Sequence, residues 1–410
     1  MLTSPSHRRR YTAACLESRR PPEQGLSYVT SVLPLFEPYS SSLDHLLNTY
    51  LSQDSQAKTS TRMSKLTLPQ MIFILLLLLY SSFPLLVFST KCHNDDTKTL
   101  LNLKAGFGNP VDLPWTSDTD CCSWSGVTCH SDTGRVLYLD FYEVNLSGSI
   151  SPAIGDLPLL SHINIVDSPM LSGTIPPSIT NLPLTSLTIM YTNLSGPIPD
   201  FLGDLTNLTD LDLSGNLLTG PIPTPIASLP KLNTLFLSGN KLTGTIPPSL
   251  FHSPPRREWL DLSDNLLTGE IPRSLGDADV PFIFLSGNCL TGDASFLFGA
   301  EKRTSEIDLS NNQLEMNMSS LSFPLFLRTL DLSHNRIYGT IPDSIADLPV
   351  LSTFNVSYNV LCGRIPTGAQ MVMFDESCYA HNECLCGTPL PSCPVGPTAI
   401  PRRCYDASLL

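Results

Sequence analysis

The sequence predicts an α/β solenoid, a right-handed superhelix with a concave parallel β-sheet, ten repeats and a cysteine-stapled cap at each end. Three observations carry this prediction. The string L-x-L-x-x-N-x-L-x-G-x-I-P recurs at 211–223, 235–247, 260–272 and, with Ile337 for one leucine, 330–342. Its glycine returns every 23–25 residues, at 148, 173, 196, 220, 244, 269, 292, 339 and 363, with Met316 standing in once. Cysteines cluster on either side of the array. A fixed period near 24 marks leucine-rich repeats, units that cannot bury their apolar face alone and must stack.

Taken in chain order, residues 1–62 are rich in Ser, Pro and Arg, without apolar period, and read as a disordered or mis-annotated upstream segment, with Met63 as the expected initiator. Residues 63–89 have the form of a signal peptide: Met63 and Lys65, an apolar run from Met71 to Tyr80, then small residues ending at Ser89. Ser81, Ser82 and Pro84 break the run short of the roughly twenty apolar residues that a membrane span needs. Residues 90–135 form the expected N-terminal cap, 136–365 the ten repeats, 366–393 the C-terminal cap and 394–410 an irregular tail.

Within a repeat, the L-x-L pair forms a short strand with both leucines turned inward. The asparagine after it is expected to satisfy backbone groups of neighbouring turns, at Asn216, Asn240, Asn265, Asn288, Asn312, Asn335 and Asn359. Val144, Ser168 and Thr192 replace it in the first three repeats. The G-x-I-P element puts glycine where the chain bends and proline where no donor is needed, which absorbs most of the 36 prolines.

The chain is 41% apolar with a net charge of −13. Since 8 of its 24 basic and 5 of its 37 acidic residues precede residue 90, the remainder carries about −16. Such a surface argues against nucleic-acid or anionic-membrane partners. No nucleophile elbow, zinc-protease helix, dinucleotide fingerprint, P-loop or kinase signature occurs, and the histidines are scattered, so no enzyme, cofactor or metal is expected. A zinc site at Cys384, Cys386 and Cys393 is disfavoured in an exported chain. Sequons stand at Asn145, Asn193, Asn207, Asn317 and Asn355, the last pointing onto the strand face.

The concave face is the expected functional surface. Its outward positions collect acids, Asp210, Asp212, Asp261, Asp264, Glu306 and Asp308 among them, and no lysine or arginine. Phe236, Trp259, Phe282 and Phe284 fall in consecutive repeats, and a clustered apolar patch marks an interface. This patch is the expected anchor, with the acids steering a basic partner.

The segments GDASFLFG (292–299), FNVSYNVLCGRIPTG (354–368) and FDESCYAHNECLCGTPLPSC (374–393) resemble the polygalacturonase-inhibiting proteins of plant cell walls, a likeness that runs from Cys92 to Cys393. The resemblance implies a secreted, non-catalytic monomer of the cell wall that binds a polygalacturonase or other cell-wall hydrolase through its concave face. It also implies the pairs Cys92–Cys121, Cys122–Cys129, Cys362–Cys384 and Cys386–Cys393. Cys289, Cys378 and Cys404 depart from that pattern and leave open a Cys378–Cys404 pair. A soluble recognition module for a peptide or receptor ectodomain is the alternative. An ice-binding surface would require a regular Ser or Thr array, which this face lacks.

Overall fold

A computed structural model describes residues 91–251 and 258–394; the upstream segment, the signal peptide and the tail beyond Pro394 lie outside the described residues. Ten parallel strands form the concave sheet: β2 (Val136–Tyr142), β3 (His162–Gly173), β4 (Ser186–Pro197), β5 (Asp210–Asp212), β6 (Thr234–Phe236), β7 (Trp259–Asp261), β8 (Phe282–Phe284), β9 (Glu306–Asp308), β10 (Thr329–Asp331) and β11 (Thr353–Asn355). An antiparallel strand, β1 (Val127–Cys129), covers the N-terminal edge. Most of these strands are three residues long, because only the L-x-L core alternates in and out before the chain must turn. Short parallel ladders follow on the flank, and 3₁₀ turns such as Pro177–Asn181 and Asp343–Asp347 line the opposite side.

The core is one continuous apolar column. The two strand leucines, the flank leucine and the isoleucine of G-x-I-P are all buried in a typical repeat, as in Leu211, Leu213, Leu218 and Ile222. The repeat glycines all have positive φ, from Gly148 at 73° to Gly363 at 91°, which explains their period. Met316 is absent from the positive-φ residues and buries its side chain instead.

Asparagines lock each coil to the one before it. The amide nitrogen of Asn265 donates to the carbonyls of Leu262, Ser263 and, one coil back, Leu237 at 2.9–3.2 Å, while its oxygen accepts from the Leu242 amide at 3.0 Å. Asn240, Asn288, Asn312, Asn335 and Asn359 repeat this pattern. Asn382 adds a further rung: its amide reaches Val356 and Tyr379, and its oxygen takes the Leu361 amide. At the other end, the Ser168 hydroxyl reaches the Val144 carbonyl, and that of Thr192 donates to the Asn216 side chain.

Both caps close the column. Helix α1 (Asn94–Gly106) buries Leu100 and Leu103, and its fully buried Asp96 pairs with Arg135 at 2.7 Å while accepting the Val136 amide at 2.9 Å. Trp115 stacks on Trp124 with centroids 5.2 Å apart. The disulfides are Cys92–Cys121 and Cys122–Cys129 at this end, and Cys362–Cys384 and Cys386–Cys393 at the other. Cys378 is a half-buried free thiol; Cys404, the partner left open from the sequence, lies outside the described residues. Cys289 is half-buried beside its ladder asparagine.

Asn265→Ala strips three carbonyls and one amide of their partner inside the column. It should lower unfolding free energy by roughly 3 kcal/mol, and Asn382→Ala, half-buried at the end, by about 1 kcal/mol. Urea titration of both variants checks the ranking. Dithiothreitol should lower the melting temperature of the wild type sharply, since each cap bridge is worth about 2–4 kcal/mol.

Candidate interaction face

Two rows of side chains stand outward from the sheet. The first runs Asp210, Thr234, Trp259, Phe282, Glu306 and Thr329 across β5 to β10, in strict parallel register. The second runs Asp212, Phe236, Asp261, Phe284, Asp308 and Asp331 across the same strands. The period that aligns the coils thus brings together residues that are 23 to 25 apart in sequence.

The aromatic residues meet in the middle of this face. Trp259 stacks on Phe282 with centroids 4.0 Å apart and 19° between planes, and Phe236 meets the Trp259 ring edge-on at 6.0 Å. Phe284 stands two residues beyond Phe282 on the same side of β8. All four are half-buried, so each offers one surface and rests another against its neighbours. Asp210 and Asp212 flank the patch on one side, Glu306 and Asp308 on the other, and Asp261 lies within it.

The acids have two kinds of environment. Asp212, Asp261, Asp308 and Asp331 each accept the amide of the serine two residues on, at 2.9 Å, and so close the turn after the strand. Asp210 takes the Thr209 hydroxyl at 2.6 Å. Burial, then the charge of Asp331 opposite it in register, pushes the Asp308 carboxyl up to about 6, against hydrogen bonds from Ser310 and Ser286. Burial also raises Asp212.

The position after the L-x-L pair turns inward in several coils: Ser214, Ser310, Ser333 and Ser357 are buried. The next position is left-handed in every rung from Glu143 to His381, with φ between 51° and 65°. Asp264 sits there at φ 51°, on the exposed turn rather than on a strand, a separate environment from Asp261. Its neighbours in that row are glycines, and Asn311, His334, Tyr358 and His381 complete it. The last three stack successively with centroids 4.0 Å apart, a feature the sequence pattern alone did not suggest. The run Ala380-His381-Asn382 repeats Ser333-His334-Asn335, and that was the available signal for the extra rung.

Among the described residues, the grouping with metal-ligand proximity is Cys92, Cys121, Cys122 and Cys129, whose sulfurs lie within 4.8 Å of one another. They are consumed in two disulfides. The sequon residues Asn145, Asn193, Asn207 and Asn317 are exposed, while Asn355 is half-buried on the face and donates to Asp331. No described helix is long and apolar enough to cross a membrane.

Residues 93–130 match the leucine rich repeat N-terminal domain family, and 183–242, 258–278 and 326–348 match leucine rich repeat families. A polygalacturonase inhibitor of Pyrus communis is 49% identical over 346 residues, covering 78% of this chain and 98% of that protein. Polygalacturonase inhibitor 2 of Arabidopsis thaliana is 45% identical over 340 residues, with 74% and 92% covered. Among solved structures, a plant ice-binding protein superposes with TM-score 0.72 at 44% identity, over 75% of this chain and all of that one. The leucine-rich-repeat ectodomain of the Arabidopsis thaliana receptor kinase GASSHO1/SCHENGEN3, in complex with CASPARIAN STRIP INTEGRITY FACTOR 2, gives TM-score 0.59 at 34% identity; 66% of this chain matches 33% of that one.

Asp308 binds a proton more tightly folded than unfolded, because its folded pKa of about 6 lies above the ordinary 3.8. The cost of keeping it charged is therefore fully present above pH 6 and disappears as pH falls towards 4. Asp308→Asn keeps an acceptor for Ser310 and should raise the melting temperature at pH 7. It should also flatten the rise in stability between pH 6.5 and 4, which melting curves across that range check.

Proposed function

The chain belongs to the polygalacturonase-inhibitor family, and on that premise we propose that it is a secreted, non-catalytic protein of the cell wall that binds and inhibits polygalacturonases. The observation that carries the reading to a surface is the Phe236–Trp259–Phe282–Phe284 patch, framed by Asp210, Asp212, Glu306 and Asp308. A rigid aromatic centre inside a charged border is the arrangement of an interface hot spot. An enzyme that holds a polyanionic substrate needs cations along its cleft, and this acidic face complements them. Inhibition follows from occupying or covering that cleft; it needs no chemistry from the inhibitor.

The acids divide their labour. Asp212, Asp261 and Asp308 each spend one oxygen on a serine amide and are thereby fixed in direction. Asp210 and Glu306 are not tied to a turn in this way, and they bear the adjustable part of the charge. Exported chains with cap disulfides and exposed sequons at Asn145, Asn193, Asn207 and Asn317 suit an oxidising, glycosylating route to the wall. The receptor ectodomain likeness supports peptide recognition as the second reading, but it covers a third of that chain against nearly all of the pear inhibitor.

Charge complementarity acts mainly on association and is screened beyond ~8 Å at physiological salt. Reducing-end release from polygalacturonate by fungal endo-polygalacturonases should fall when the protein is added. Association with an inhibited enzyme should slow as salt rises, and Asp210→Asn with Glu306→Gln should weaken that dependence. Trp259→Ala should instead speed dissociation, with a loss on the order of 2 kcal/mol. Failure to inhibit any such enzyme, with retained binding to a secreted peptide, would favour the recognition module.

A further inference from the structure

The N-terminal cap brings four sulfurs to one point. Cys92 precedes α1, Cys121 and Cys122 open the 3₁₀ turn Cys121–Ser123, and Cys129 ends β1; their sulfurs all lie within 4.8 Å of one another. Among the described residues, the four cap cysteines at the other end form no such group. Two bridges do not by themselves require the convergence. Cys122–Cys129 spans a sequence separation of 7 and Cys92–Cys121 one of 29, and either would staple its segment wherever the other stood.

Bonds other than the bridges hold the sulfurs in place. One oxygen of the Asp120 carboxylate accepts the amides of Cys92 at 2.9 Å and of Cys122 at 3.1 Å. The His93 amide donates to the Gly134 carbonyl at 2.9 Å, and Cys129 lies in the β1–β2 ladder opposite Val136. These main-chain contacts converge the four side chains whether or not the bridges are closed. The Thr97 hydroxyl donates to Cys92 Sγ at 3.3 Å, a contact that favours negative charge on that sulfur. His93 does not compete as a ligand: its Nδ1 accepts the Asp95 amide at 3.3 Å and its Nε2 meets Arg135 at 3.0 Å.

We propose that the reduced N-terminal cap is a tetrathiolate site for a thiophilic divalent cation of the zinc class. The same four cysteines then close the cap either as two bridges or around one metal. Zinc–sulfur bonds of about 2.3 Å in a tetrahedron set the sulfurs roughly 3.8 Å apart, within the 4.8 Å spread of this group. Reduction by a phosphine consumes one phosphine and one water per bridge and yields two thiols and the phosphine oxide. The cation displaces the four thiol protons and leaves a complex of charge −2. In the reverse direction two molecules of a small disulfide accept the four electrons and leave as four thiolates, while both bridges form and the cation departs. The bridged form belongs to the secreted protein, and the metal form to the chain before its bridges close. Four gathered thiols allow three pairings, and a bound cation keeps them from the two wrong ones. The inference is independent of the inhibitor reading.

The test reduces the purified protein with a phosphine under argon, removes metal and titrates with cobalt(II), then zinc(II). One cobalt per chain should give the visible bands and sulfur-to-metal charge-transfer absorption of a tetrahedral thiolate site, and one zinc should abolish them. Zinc should raise the melting temperature of the reduced protein and leave that of the oxidised protein unchanged. Cys122→Ser with Cys129→Ser should lose the spectrum; serine at Cys362, Cys384, Cys386 and Cys393 together should preserve it. Hydrogen exchange of the α1 amides in the same samples reports whether the cap is folded. A spectrum that survives the first change or vanishes with the second overturns the proposal. So does a reduced cap that zinc neither binds nor protects, whether its α1 amides exchange freely or slowly.

Discussion

The structure depends on one buried hydrogen-bonding problem, solved once per coil. Each time the chain leaves a concave strand it turns sharply, and the carbonyls and amides of that turn face a column of leucines with no water to meet them. An asparagine side chain is the compact group that both donates twice and accepts, and here it joins its own turn to the coil before it. Stacking is thereby tied to local folding: a coil satisfies its backbone only beside its neighbour. The ladder ends in hydroxyls at Ser168 and Thr192 and, at the other end, in Asn382 beside the Cys362–Cys384 bridge.

The same turn restricts what the face can present. A left-handed residue before each ladder position favours Gly, Asp, Asn or His, and Glu143, Tyr191 and Tyr358 depart from that preference. The strand aspartates close the turn by binding a serine amide, so part of the acidic character belongs to the scaffold. That placement has a cost. Burial, and then the charge of Asp331 on the adjacent strand, raises the Asp308 pKa to about 6. An acidic face built on turn-closing aspartates is consequently sensitive to pH, whereas its aromatic centre is not.

Scaffold and specificity are separable in this architecture. A pear inhibitor and a plant ice-binding protein are similar to this chain at 49% and 44% identity, and a receptor ectodomain at 34%. The column, ladder and caps are indifferent to what is bound, since their residues point inward or sideways. Outward positions are free of that constraint, and any function must be argued from them.

Periodicity determined the architecture from the sequence alone, because a repeat of 24 residues with fixed inward positions admits one stacking. The strand leucines, the ladder from Asn216 to Asn359, the cap cysteines and the outward aromatics were all legible for that reason. Family likeness, rather than spacing, supplied the disulfide pairs. The tertiary structure decided what depends on rotation about the coil axis. It turned the serines after several strands inward, moved Asp264 onto a left-handed turn and stacked His334, Tyr358 and His381. It added Asn382 as a rung where a cap was expected, left Cys378 unpaired and exposed Phe326 and Met373 on the surface. Sequence spacing fixes which coil a residue occupies, but local backbone conformation sets where its side chain points, and surfaces are made of directions.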